Sequence, residues 1–125
     1  MTDDQERVLA ALREGLDAGT AVRAAWSEAR TACPAAVLLP ARRVPVCAAA
    51  GENLLTEITQ TVRLTARSYA QLSRLADQAE DAMRALGYAL TDMKTEDGVP
   101  RTGVMRFSGV SDGARMHCQM MQNLI

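Results

Sequence analysis

His117 and Cys118 are neighbours, and a thiol beside an imidazole can serve as an activated nucleophile or as half of a metal site. Adjacent residues of a strand point to opposite faces, so the two share a site only across a bulge. On the apolar face a free cysteine behaves as a small hydrophobe, and Cys118 is read as core. His117 is the single histidine of the chain, which leaves the usual histidine-based triads and metal sets without their other members. It is read as solvated surface or a subunit contact. Asp92, Glu96 and Asp97 could gather around a divalent cation, but their spacing fits no calcium loop and Lys94 sits among them. The glycines at 98, 103, 109 and 113 form neither a P-loop nor a dinucleotide fingerprint. Cys33, Cys47 and Cys118 are widely spaced, with no Cys-x-x-Cys. Trp26, Tyr69, Tyr88 and Phe107 are scattered and build no stacking platform for single-stranded nucleic acid. Seven methionines, four of them at 105, 116, 120 and 121, read as core filling. No catalytic residue, cofactor site or metal site is therefore expected, and the expectation is a protein that is not an enzyme.

Charge is nearly balanced, with 14 basic residues against 15 acidic ones, so no long-range field collects nucleic acid or an anionic membrane. Thirteen of the fourteen cations are arginine, whose planar fork suits protein interfaces. A length of 125 residues fits one globular domain, and no apolar run approaches the roughly 18 residues of a membrane span. The acidic start, Thr2-Asp3-Asp4-Gln5-Glu6, is unlike a signal peptide, and with the cysteine pattern it points to a soluble chain in a reducing cytoplasm.

The elements that would position any site follow from periodicity. Thr2-Asp3-Asp4-Gln5 is a capping box followed by Val8, Leu9, Leu12 and Leu16 at helical spacing, which predicts a helix over 3–14. Gly15 and Gly19 interrupt it. Thr20 can cap a second short helical stretch through Val22, Ala25, Trp26 and Ala29, so that 1–31 forms a helical N-terminal segment. Ala36 to Leu39 reads as a strand, and Pro40 and Pro45 confine its continuation through Val46 to an edge or bulge. Residues 48–53 read as a small-residue loop.

From Leu54 to Arg67 the pattern alternates strictly. Leu54, Ile58, Val62, Leu64 and Ala66 face one way; Glu57, Thr59, Thr61, Arg63, Thr65 and Arg67 face the other. That polar face suits solvent or an intersubunit edge. Ser68-Tyr69-Ala70-Gln71 is a second capping box, and the stripe Leu72, Leu75, Ala76, Ala79, Met83 and Leu86, stopped at Gly87, predicts a helix over 69–86. Tyr88 to Met93 reads as a short strand and 94–103 as a polar loop. Asp112-Gly113 predicts a two-residue hairpin turn. Its register sets Ser111 opposite Ala114, Val110 opposite Arg115, Ser108 opposite His117 and Phe107 opposite Cys118. The sum is a single α+β domain over 1–125: a largely antiparallel sheet and the 69–86 helix within 35–122, with the helix on one sheet face.

The run from Glu52 to Arg84 followed by Leu86-Gly87-Tyr88 resembles the tail terminator, or tail-completion, proteins of tailed bacteriophages with long non-contractile tails. Three features carry the resemblance, in serial order. They are the strand Ile58 to Ala66, the helix start Ser68 to Ala76, and the Leu86-Gly87-Tyr88 exit leading to Arg106-Phe107-Ser108-Gly109-Val110 and its hairpin. The resemblance covers about residues 35–122; the early strand, Val37-Leu38-Leu39-Pro40, departs from the more aromatic or proline-rich segment common in the family. It implies a homohexameric ring in the virion that caps the tail tube and joins the tail to the head. Its partners would be further copies of itself, the tail tube protein and a head-tail connector or neck protein, and it carries no catalytic residues to transfer. Arg63, Arg67, Arg106, Arg115 and His117 are the expected ring contacts, with the 94–103 loop reaching a neighbour or the tube. A head-closure or neck protein is the related alternative. A small cytoplasmic dimeric binding or regulatory module, using the C-terminal hairpin face, is the alternative from another class.

Overall fold

The computed structural model describes residues 3–25, 33–46, 55–111 and the backbone of 116–117. In chain order these form helix α1 (Asp3–Gly15), strands β1 (Ala21–Ala24), β2 (Ala35–Leu38), β3 (Arg42–Val46) and β4 (Leu55–Ala66), helix α2 (Tyr69–Ala85), and strands β5 (Ala89–Glu96), β6 (Arg101–Ser111) and β7 (Met116–His117). The α+β class read from the sequence is the class observed.

β4 is the spine of the sheet. The order is β1-β2-β4-β6-β5, with β3 paired to the first half of β4 and β7 to the end of β6. Only β1 and β2 run parallel. Along β4 the residues Ile58, Gln60, Val62, Leu64 and Ala66 are fully buried, the inward half of the alternation. Val8, Leu9 and Leu12 of α1 and Leu72, Leu75, Ala76, Ala79 and Met83 of α2 join them in one cluster with Met105 and Phe107 of β6. Both helices therefore lie on the same face of the sheet. Gly103 marks how closely α2 approaches: a Cβ there would stand 3.3 Å from Leu72 Cδ1 and 3.4 Å from Met93 Cε.

The ends of α2 are fixed by local chemistry. Ser68 Oγ accepts from the Gln71 N–H at 3.1 Å, while Gln71 Oε1 accepts from the N–H of Arg67, one residue before the cap, at 2.8 Å. At the other end Gly87 takes φ +97°, the Gly87 N–H donates to Arg84 O and the Tyr88 N–H to Met83 O, both at 3.0 Å. This is a Schellman stop, with Tyr88 and Met83 both buried beside it. Ser68→Ala is expected to cost about 1 kcal/mol, and Ser68→Asp to retain most of it. Urea denaturation of the three proteins checks this; an Ala variant as stable as the parent removes the cap from the account.

Four expectations are corrected. The stretch after Thr20 is strand β1, not helix: the Ala21 N–H donates to Pro34 O at 3.1 Å and the Ala25 N–H to Leu38 O at 2.8 Å. A helix this short is marginal in water, and pairing with β2 satisfies the same backbone groups while burying Ala24. β5 continues through Glu96 and β6 begins at Arg101, so the 94–103 loop shrinks to residues 97–100. The ladder Lys94↔Val104, Thr95↔Gly103, Glu96↔Thr102 holds polar residues in an edge strand because backbone pairing does not depend on side-chain polarity. At the C-terminal hairpin the pairs are Val110↔His117 and Ser111↔Met116, a shift of two from the expected register. Four residues instead of two separate the strands. Gln60, left out of both faces above, belongs to the inward set. The Thr2 cap, Trp26, Ala29, the 48–53 loop, Arg115 and Cys118 lie outside the described residues.

Candidate functional site

The second face of the sheet, opposite the helices, is where the outward half of the alternation collects. β4 contributes Glu57, Thr59, Thr61, Arg63 and Thr65, and β6 contributes Thr102, Val104, Arg106, Ser108 and Val110. β1 and β2 add Arg23 and Val37, which are paired with each other, and β3 adds Arg42 opposite Thr59. No helix among the described residues lies over this face. Val37 and Val110 are nevertheless buried, outside the helix-side core.

Arg63 and Arg106, each expected on a polar strand face, come together here. Thr61 pairs with Arg106 and Arg63 with Val104, so the two arginines are diagonal neighbours on one face. Both are exposed, and neither makes an ion pair or side-chain hydrogen bond among the described residues. Asp92 is the register partner of Arg106 on β5 but forms no salt bridge with it. Arg67 behaves differently: its guanidinium donates to the Cys33 carbonyl at 3.0 Å, tying the end of β4 to the residue that precedes Pro34. It serves the fold before it serves any partner. Of His117 only the backbone is described, paired with Val110, and Arg115 falls outside.

Two hollows lined by described residues indent the face. One, of about 390 Å³, is walled by Arg42 and Arg106 and floored by the hydroxyls of Thr59, Thr61, Thr91 and Ser108. Thr59 Oγ1 and Ser108 Oγ lie 3.3 Å apart, and Thr91 Oγ1 donates to the Arg106 carbonyl at 3.2 Å. Arg42, like Arg106, has no ion pair among the described residues. The other hollow, about 360 Å³, has Val37 and Leu39 at its base, with Arg23, Arg63 and Thr65 around them and Pro100 at its rim. Guanidinium forks and hydroxyls on a rigid sheet bind oxyanions, carboxylates above all, without supplying a nucleophile and its base. Arg42 and Arg23 escaped the sequence reading because strand pairing, which no local pattern reveals, brings them to the face.

Behind the face one polar pair is sealed in the core. Gln60 Nε2 donates to the Tyr88 hydroxyl at 3.3 Å, and Gln60 Oε1 has no partner among the described residues. Burial pushes the Tyr88 phenol above its ordinary range, with the hydrogen bond from Gln60 pulling the other way. Position 60 is in phase with Ile58 and Val62, which was the available signal that its amide points inward.

No family model and no curated protein matches this chain. Among the described residues no helix is long and apolar enough to cross a membrane.

Proposed function

We propose that this chain is a structural, ring-forming subunit of a tailed-phage virion, a tail terminator that closes on itself through the open sheet face and joins the tail tube to the head. The observation that carries the reading is the pair Arg63 and Arg106, two exposed guanidiniums on adjacent strands that form no ion pair among the described residues. A partly buried arginine in an interface is worth most when its partner comes from the other molecule, and the rigid sheet holds both forks ready for one. The reading also rests on the family resemblance, which is carried by the serial order of long alternating strand, capped helix and Gly-Tyr exit. Ring closure uses two different patches of one surface, and a near-neutral chain with arginine-rich strand faces suits it.

Native mass spectrometry over a concentration series tests this. The expected species is a closed hexamer, and a fixed dimer or a monomer at every concentration overturns the reading. Arg63→Glu with Arg106→Glu is expected to leave the circular dichroism spectrum and melting temperature of the subunit unchanged while abolishing the hexamer. Full assembly by that variant would remove these two residues from the ring contact.

A further inference from the structure

The hollow walled by Arg42 and Arg106 has hydrogen-bond donors that the described residues leave unused. Thr59 Oγ1 and Ser108 Oγ, 3.3 Å apart, need one proton between them, so the other hydroxyl is free to donate outward. Thr91 gives its proton to the Arg106 carbonyl, while Thr61 makes no side-chain hydrogen bond among the described residues. Neither guanidinium forms an ion pair there. Two acids border the hollow, Asp92 opposite Arg106 on β5 and Glu57 two residues before Thr59 on β4, but neither lines it and neither pairs with either arginine. The two forks come from different strands. Arg42 stands across Thr59 from Ser108, and Arg106 lies two residues back along β6. Two strand spacings of about 4.8 Å and two residues of about 3.3 Å set their Cα atoms about 12 Å apart, with both side chains reaching over the same hollow.

We propose that this hollow binds a small dicarboxylate, one carboxylate on each guanidinium, with their inner oxygens toward the hydroxyls of Thr61 and of Thr59 or Ser108. A single planar carboxylate is fully met by one fork, so occupying both walls takes two. The volume of about 390 Å³ falls within the roughly 300–1,000 Å³ of small-molecule sites and leaves room for the carbons that join the two groups. Both arginines stand on strands laddered to β4, so the forks are held at a set spacing before the ligand arrives. Once one carboxylate is seated the second contact is intramolecular, which favours a dicarboxylate over a monocarboxylate by far more than its doubled charge. The proposal does not rest on the ring reading.

Isothermal titration calorimetry at fixed ionic strength tests it, with succinate as the probe and acetate as the one-carboxylate control. The parent protein is expected to bind succinate at least roughly tenfold more tightly than acetate. Arg42→Gln and Arg106→Gln are each expected to weaken succinate by roughly tenfold or more and to bring it down to the level of acetate, since one fork then remains. Asp92→Asn removes a bordering negative charge and is expected to tighten succinate by a few fold. Arg84→Gln changes the net charge equally on the helix side of the sheet, where Arg84 pairs with Glu80, and should leave succinate binding as it was. Circular dichroism of each variant establishes that it is folded; all five substituted side chains are solvent-accessible to some degree or replaced by a near isostere. Succinate bound no more tightly than acetate overturns the site, as does an Arg84→Gln loss equal to that of Arg106→Gln. A parent ring that binds no succinate overturns the site and leaves the ring reading standing, whereas a parent chain that binds succinate without assembling does the reverse.

Discussion

Phe107→Ala is expected to lower the unfolding free energy by about 3–5 kcal/mol, the largest effect of any single truncation in the described core. Phe107 is fully buried near the middle of β6, flanked in register by Gln60 on β4 and Leu90 on β5 and capped by the helix layer. It is the only phenylalanine of the chain, and the Tyr88 ring of the same cluster is tied by the hydrogen bond from Gln60. Collapse is resisted from both sides. β4 and β5 are held to β6 by ladders that a side-chain deletion leaves intact, and the Ser68 cap and Gly87 stop fix the length and exit of α2. The cavity should therefore stay open, which places the cost toward the upper part of the range for such deletions. Urea denaturation at constant slope measures it, and Phe107→Leu, which refills most of the volume, should recover the larger share. A loss below about 1 kcal/mol would mean the sheet relaxes into the hole and that the close α2 packing marked by Gly103 is looser than described.

The elements legible in the sequence are those whose evidence is local. β4 declares itself because a half-buried strand needs period two, and α2 because its stripe is bracketed by Ser68 and Gly87. The outward placement of Arg63 and Arg106 is legible for the same reason, since alternation puts them on the polar faces of their strands. What local patterns cannot show is pairing. Val22, Ala25 and Trp26 sit at helical spacing, yet Ala21–Ala24 is a strand because β2 offers it a parallel ladder. Lys94 to Glu96 and Arg101 to Gly103 have loop composition, yet each finds its partner across the hairpin. Asp112-Gly113 suggests the shortest turn, whereas the pairs Val110↔His117 and Ser111↔Met116 require a longer one. A shift of two residues preserves the alternation along β6, and Val110 stays on the face of Arg106 and Ser108. The Arg42–Arg106 hollow is a pairing feature throughout, assembled from β3, β4, β5 and β6, and had no single-segment signature to read.

The second large effect concerns the buried amide. Tyr88→Phe and Gln60→Met are each expected to destabilise the chain by about 1–3 kcal/mol, because each leaves the other's polar group sealed in the core without its partner. Together they should cost little or even stabilise. Gln60 Oε1 already lacks a hydrogen bond, and if the amide is turned over its nitrogen is the end left unpaired, so the pair is never fully satisfied. Replacing both members by apolar groups of similar shape removes that penalty and leaves the Schellman stop untouched, since Tyr88 joins it through its backbone N–H. The double-mutant cycle should therefore show strong coupling, and additive losses would show that the two residues do not act as a pair. The alkaline limb gives an independent check. Burial raises the Tyr88 phenol in the folded state above its unfolded value near 10, so its contribution to stability is whole below about pH 10. It is lost as the pH climbs through the raised folded value, where the buried phenol must ionise. The Phe variant has no such group and should lose less stability than the parent between pH 9 and pH 11, the interval in which chemical denaturation of the two proteins is best compared. Parallel curves over that interval would place Tyr88 in contact with water rather than with Gln60.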